Sequence, residues 1–139
     1  PRAIWPTAAM IWEAADPYLY IRTTPRGEII CGGEDEEIGD AVLRDAKLPD
    51  KAATLSRKLA ALLPGIDAAP VYSWAGSFGD SPIGTPTIGP IPGMPNCYAA
   101  MGYGGNGITF SMMAAQMLRG LICGYGDPDA DLVSFHRKF

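Results

Sequence analysis

The sequence is poor in the residues that build metal sites and covalent cross-links. It has one histidine, His136, and three cysteines, Cys31, Cys97 and Cys123, far apart and in no C-x-x-C pair. A lone histidine with scattered thiols does not make a metal ligand set, so no metal is expected. An odd, sparse cysteine set is the usage of a reducing compartment, and the three read as small buried apolar residues. Positive charge is scarce too. Eleven Lys and Arg against 15 Asp and Glu leave a net charge of -4, with no basic run. That balance argues against nucleic acid or an anionic membrane as a partner. No apolar run reaches the ~18 uninterrupted residues of a membrane span, and there is no secretion signal, so a cytoplasmic location is expected. Initiator methionine is absent as well. The chain opens PRAIWP, which leads us to expect a processed chain or a piece of a longer protein. There is no internal repeat and no low-complexity segment.

What is there is globular. The 139 residues are 47% hydrophobic and 19% charged, enough for one domain with a real core. Residues 8–14 and 18–24 read as short strands, rich in aromatic and β-branched side chains. Thr-Thr-Pro-Arg-Gly-Glu then suits a type I turn, with Pro25 second and Gly27 fourth. GEIICGG returns as the partner strand, so 18–34 is expected to be a β-hairpin. The acidic stretch from Glu34 to Asp40 reads as a solvated loop. An amphipathic helix is expected over 50–63, capped by Asp50, with Leu55, Leu59, Leu62 and Leu63 on one face and Pro64-Gly65 as its stop. Residues 69–78 look strand-like. A Gly- and Pro-dense connection follows, broken by a short strand near 87–91, and 96–101 forms another. Residues 108–123 read as a helix apolar nearly all round, hence buried on most sides, with Gly120 marking close contact and Gly124 a stop.

Gly102-Tyr103-Gly104-Gly105-Asn106-Gly107, between a strand and a helix, spells G-x-G-x-x-G. A dinucleotide fold needs more: a second strand after the helix, ending in an acid about twenty residues on. Here the corresponding stretch is GDPDADL, broken by Pro128, with no apolar strand and no room for a βαβ unit. An NAD-binding module therefore fails. What remains is a bend that sets bare backbone N–H groups and a positive dipole end at Gly105 to Thr109.

A series of segments now carries a resemblance. YLYIRTTPRGEIICGGEDE, then Trp74-Ala75-Gly76, then GTPTIGPIPGMPNCYAAMGYGGNGITFS, closing with LVSFHRKF, resembles the C-terminal part of the D-amino-acid oxidase superfamily. That is the branch of FAD-dependent amine oxidoreductases that includes glycine oxidase, sarcosine oxidase and D-amino acid dehydrogenase. The resemblance covers nearly the whole chain. It implies an α+β fragment with antiparallel or mixed sheet and two main helices, lacking the N-terminal dinucleotide-binding unit. Residues 1–93 would belong to the substrate-binding domain. Residues 94–139 would be the strand and helix that complete the FAD-binding domain.

The resemblance also implies the site. Tyr103, Gly104, Gly105, Asn106, Gly107, Ile108 and Thr109 match the family's second flavin contact, where the last helix aims its N-terminus at the pyrimidine edge of the ring. The glycines would admit the ring plane, and Ile108 and Thr109 would supply N–H groups. The implied chemistry is hydride transfer from a C–H beside an amine. Two departures stand out. The family arginine that clamps a substrate carboxylate, two residues after the Trp-Ala-Gly glycine, falls on Phe78, and a second falls on Gly105. Arg22 is the candidate substitute. Phe78 and Tyr20 are candidate pocket walls, and Trp74 is either core or wall. No cysteine lies near Gly76, so FAD would be non-covalent. No catalytic base is assigned, and His136 reads as a surface residue near the end of the chain. The implied partners are the missing N-terminal FAD-binding region of the same protein, a small amine or amino acid, and a second copy in a homo-oligomer, since a half-covered fragment exposes apolar surface. The alternative is a non-catalytic scaffold or subunit that keeps the fold without the cofactor.

Overall fold

The computed structural model describes residues 5–137. They form two compact units, Pro1–Gly76 and Ser77–Phe139, each with its own core.

The first unit is built on a three-stranded antiparallel sheet, β1 (Ile11–Trp12), β2 (Leu19–Thr23) and β3 (Ile29–Gly33), in that order. The hairpin appears where the turn residues demand it, and the Gly27 amide donates to the Thr24 carbonyl at 2.9 Å. Register pairs Ile21 with Cys31 and Leu19 with Gly33. Alternation along β2 sends Leu19 and Ile21 inward, and Ile21 is fully buried. Of the closing pair Gly32-Gly33, the second is sterically required and the first seats the Tyr20 ring. A Cβ at Gly32 would strike the Tyr20 ring at 2.4 Å, and one at Gly33, where φ is +131, would lie 2.1 Å from the Tyr18 carbonyl oxygen. β1 is shorter than its sequence suggests, because only Ile11 and Trp12 find ladder partners.

Two helices follow. α1 (Ala41–Ala46) is capped by Asp40, whose carboxylate accepts from the Val42 and Leu43 amides. α2 (Leu48–Leu62) carries Pro49 in its first turn, where a missing N–H costs nothing. Asp50 is therefore a first-turn acid and not the cap, which is Lys47. Leu59 is buried against Trp5, Leu19 and Ile21, with Leu55 and Leu63 packed alongside. The acidic stretch is not a simple solvated loop. Glu34 pairs with Lys58, Glu36 is bridged by Lys47 at 2.5 Å and Lys51 at 2.6 Å, and Lys51 also donates to the Glu34 carbonyl at 2.7 Å. These links tie the end of β3 to the helices. The two lysine hydrogen bonds hold the Glu36 carboxyl down at about 2.

Residues 69–78 do not form the expected strand. They run exposed, Pro70 removes a donor, and the strands of the sheets pair only with one another.

In the second unit β4 (Thr87–Pro90) pairs antiparallel with β5 (Tyr98–Met101), with Ile88 opposite Ala100. A 3-10 turn, 104–106, leads into α3 (Gly107–Ile122). The core gathers Ile88, Ala114 and Val133, with Tyr103, Met117 and Leu118 against them. α3 ends in a Schellman motif: the Tyr125 amide donates to the Gly120 carbonyl at 2.9 Å and Gly124 to Leu121 at 3.3 Å. Gly120's close neighbour is thus Tyr125, whose carbonyl oxygen lies 2.9 Å from where a Cβ would stand. α3 is not buried on most sides. Only Ala114 and Gly120 are buried, while Ile108, Met112 and Ile122 are exposed. Among the described residues the sheets are antiparallel only, and α1 adds a short helix to the two expected. Cys31 and Cys97 are half-buried, but Cys123 is exposed, so the reading of three buried thiols does not hold there.

Gly33→Ala is expected to destabilise the first unit by about 1–3 kcal/mol, read by urea unfolding, because both the backbone angle and the approach of Tyr18 exclude a methyl group. The depressed Glu36 carboxyl favours the ionised form in the fold. Its contribution is therefore present above the ordinary carboxylate range and lost as pH falls through about 2. Replacing Lys47 and Lys51 together by Met should return its NMR titration midpoint to that ordinary range; an unchanged midpoint would exclude the lysines as the cause.

Candidate functional site

The site is built where β5 hands over to α3. Gly102 and the 3-10 turn bend the chain so that α3 begins at Gly107 with no side-chain hydrogen bond from Asn106, its N-cap. The first-turn amides of α3 lack side-chain capping, and the dipole places partial positive charge there. A Cβ at Gly105 or Gly107 would meet nothing within 4 Å, so the bend presents bare backbone to open space. Ile108 is 92% exposed and Met112, one turn on, 62%. An apolar helix face thus starts at the bend.

Gly104 has a different task. Its amide donates to the Gly79 carbonyl at 2.9 Å, its φ is +53, and a Cβ there would lie 3.0 Å from Asp80 Oδ1. The loop from Gly79 to Ser81 is therefore seated on the bend. Asp80 Oδ1 accepts from the Ser81 amide at 2.8 Å, and Ser81 Oγ donates to the Thr85 carbonyl at 2.7 Å. Phe78, 58% exposed, immediately precedes this loop. Tyr103 turns inward, its ring 6.2 Å from that of Phe110.

Tyr20 and Arg22 lie in the first unit, on the face of β2 opposite Leu19 and Ile21. Tyr20 rests over Gly32 and stacks with Tyr18 at 6.3 Å, and Tyr18 approaches Trp12 at 6.4 Å. The Tyr18 hydroxyl donates to the Asp35 carboxylate. That hydrogen bond, then burial and the Asp35 charge, pushes the phenol up to about 12. Arg22 is exposed. Trp74 is 68% exposed and is not a core residue of its unit. His136 is exposed.

The second unit thus brings Phe78 and residues 103–109 onto neighbouring segments, while Tyr20 and Arg22 belong to the first. A cavity of about 340 Å³ lies elsewhere, between β4, the second half of α3 and residues 126–136, and none of residues 103–109 lines it. Asp80 has no counterpart in the sequence reading. A signal was present: it is the one acid between Asp67 and Asp127. Among the described residues no cluster of three His, Cys, Asp or Glu could hold a metal, and no helix is long and apolar enough to cross a membrane.

A family model described as FAD dependent oxidoreductase matches residues 1–121. A glycine oxidase from Pseudomonas aeruginosa is 35% identical over 100 residues, covering 70% of this chain and 26% of that protein. The chain therefore spans about a quarter of that relative's length. No solved structure matches the chain.

The two kinds of glycine should separate on substitution. Gly104→Ala is expected to cost about 1–3 kcal/mol, because φ is left-handed and Asp80 is in the way, whereas Gly105→Ala should stay within about 0.5 kcal/mol. Thermal unfolding of the two variants checks this; equal effects would refute the division.

Proposed function

The chain belongs to the FAD-dependent oxidoreductases of the D-amino-acid oxidase superfamily, and from that premise we propose that it is the C-terminal part of an enzyme that oxidises an amine or amino acid. What carries the reading is the α3 start: an uncapped helix N-terminus with open space over Gly105 and Gly107, in a chain of this family. Residues 1–93 would then serve the substrate side and 94–139 the cofactor side. The partner that completes the site is an N-terminal FAD-binding region of the same protein, and the exposed Ile108 and Met112 face of α3 offers it apolar surface. Association into homo-oligomers and a cytoplasmic location belong to the same reading; the odd, sparse cysteine set of the sequence is the ground for the latter.

The residues fit a flavin edge. FAD, if held here without a covalent link, would supply a hydride acceptor for a substrate C–H next to nitrogen. Tyr103 and Asn106 frame the bend, and Gly104 locks it to the Gly79 loop. Gly105 and Gly107 leave the backbone bare for a flat ring. The amides of Ile108 and Thr109 offer donors, and the helix dipole offers positive potential, where the ring edge gains negative charge. Being fixed beforehand, they need no reorganisation during the reaction. Phe78, beside the bend, would wall the substrate; within the first unit Tyr20 is the candidate wall and Arg22 the candidate contact for a carboxylate. The first task for these walls is orientation and exclusion of water.

Upstream of Pro1 the parent reading frame is expected to encode a strand, G-x-G-x-x-G and a helix, with an acid about twenty residues later. In the purified intact protein, Gly105→Val combined with Gly107→Val should lower FAD content, read by absorbance, at least about tenfold. A wild-type protein without flavin, or a double variant with full flavin, would remove the reading and favour a non-catalytic scaffold.

A further inference from the structure

The charge distribution around the glycine bend is one-sided. From Ser77 to Gly126 the sequence contains two charged side chains, Asp80 and Arg119. Arg119 sits in the last turn of α3, twelve residues beyond Gly107, which at 1.5 Å per residue is about 18 Å along the axis. Arg137 donates to the Pro86 carbonyl at 2.6 Å. Asp80 is held against the bend itself, its Oδ1 3.0 Å from the Cβ position of Gly104, on a loop anchored by the Gly104 amide to the Gly79 carbonyl. Two residues before it stands exposed, apolar Phe78. Among the described residues from Ser77 to Gly126 the bend is thus flanked by a carboxylate and an aromatic ring, and Arg119, at the far end of α3, is the one cation.

Asp80 is also able to accept a ligand. A carboxylate has about four acceptor positions. The Ser81 amide takes one, and the residue is exposed. Its fixed loop means that little side-chain and loop freedom is lost on binding. An ammonium group meeting it forms a charge-assisted hydrogen bond. A zwitterionic amino acid would bring its own carboxylate close to the same negative charge, which disfavours it.

We propose that Asp80 sets substrate specificity at this bend, by binding the ammonium of an amine that has no carboxylate and whose apolar part packs on Phe78. The assignment rests on the flavin reading above and narrows its substrate class from amine or amino acid to a hydrophobic amine. Asp80 acts in binding; it is given no proton to transfer.

The test uses the intact, FAD-loaded protein with its flavin reduced beforehand and kept free of oxygen, so that calorimetric titration with benzylamine, benzyl alcohol and glycine reports binding without turnover. Benzylamine is expected to bind the wild type at least about tenfold more tightly than either benzyl alcohol or glycine, and to weaken as ionic strength rises. Asp80→Asn, which keeps the Oδ1 acceptor for Ser81, should lose at least about tenfold in benzylamine affinity while retaining FAD. Asp80→Glu should recover much of that loss. A merely structural Asp80 would shift all three ligands alike. Equal affinity for benzylamine and benzyl alcohol in the wild type, equal benzylamine affinity in wild type and Asp80→Asn, or glycine binding as tight as benzylamine and abolished by Arg22→Ala would each overturn the assignment. These outcomes leave the flavin reading standing. A wild-type protein that holds no FAD would overturn both, and its lack of flavin absorbance distinguishes the two failures.

Discussion

The second unit depends on one backbone contact, the Gly104 amide donating to the Gly79 carbonyl. It joins the loop before the Gly- and Pro-rich stretch to the bend after it, while the β4–β5 ladder holds the middle of that stretch. A methyl group at residue 104 would crowd Asp80 Oδ1 at 3.0 Å, and its left-handed φ of +53 favours glycine. From that bond follow the seating of Asp80 and Phe78 beside the bend and the place where α3 starts. The glycines are therefore not equivalent. One fastens the loop, and Gly105 and Gly107 keep the surface open.

α3 makes the complementary point about burial. It has the composition of an interior helix, yet only a narrow stripe through Ala114 and Gly120 is covered. Ile108, Met112 and Ile122 remain in contact with solvent. Covering side chains of this size is worth about 1.5–3 kcal/mol each, so the exposed face is a strong drive for association.

The first unit is held by a different balance. Its apolar core around Leu19, Ile21 and Leu59 is small, and the acids after β3 supplement it by pairing with lysines of the helical region. The Glu36 pairs are partly exposed and individually weak, whereas Glu34 is largely buried against Lys58. Their effect here is geometric: several links from Glu34 and Glu36 fix the direction in which the chain leaves the sheet. On the opposite face the aromatic row of Trp12, Tyr18 and Tyr20 is ordered by the Gly32 gap and the Asp35 hydrogen bond.

Local chemistry was legible from the sequence. The Thr24 to Gly27 turn, the hairpin it closes, the Leu face of α2 and the strand-bend-helix at Tyr98 to Gly124 all rest on contacts a few residues apart, where turn residues and periodicity act directly. The glycine bend and the family were legible for the same reason, since glycine spacing is a local record of backbone approach. Helix α1 was missed because its signal was Asp40, hidden in a run of acids. Residues 69–78 were misread because a strand needs a ladder partner as well as propensity. Only tertiary structure decided that the acids would pair with Lys47, Lys51 and Lys58, that Gly104 differs from Gly105, and that Asp80 lies at the bend. Each of these is a contact between segments distant in sequence, and no local pattern specifies which distant group fills the space a glycine leaves.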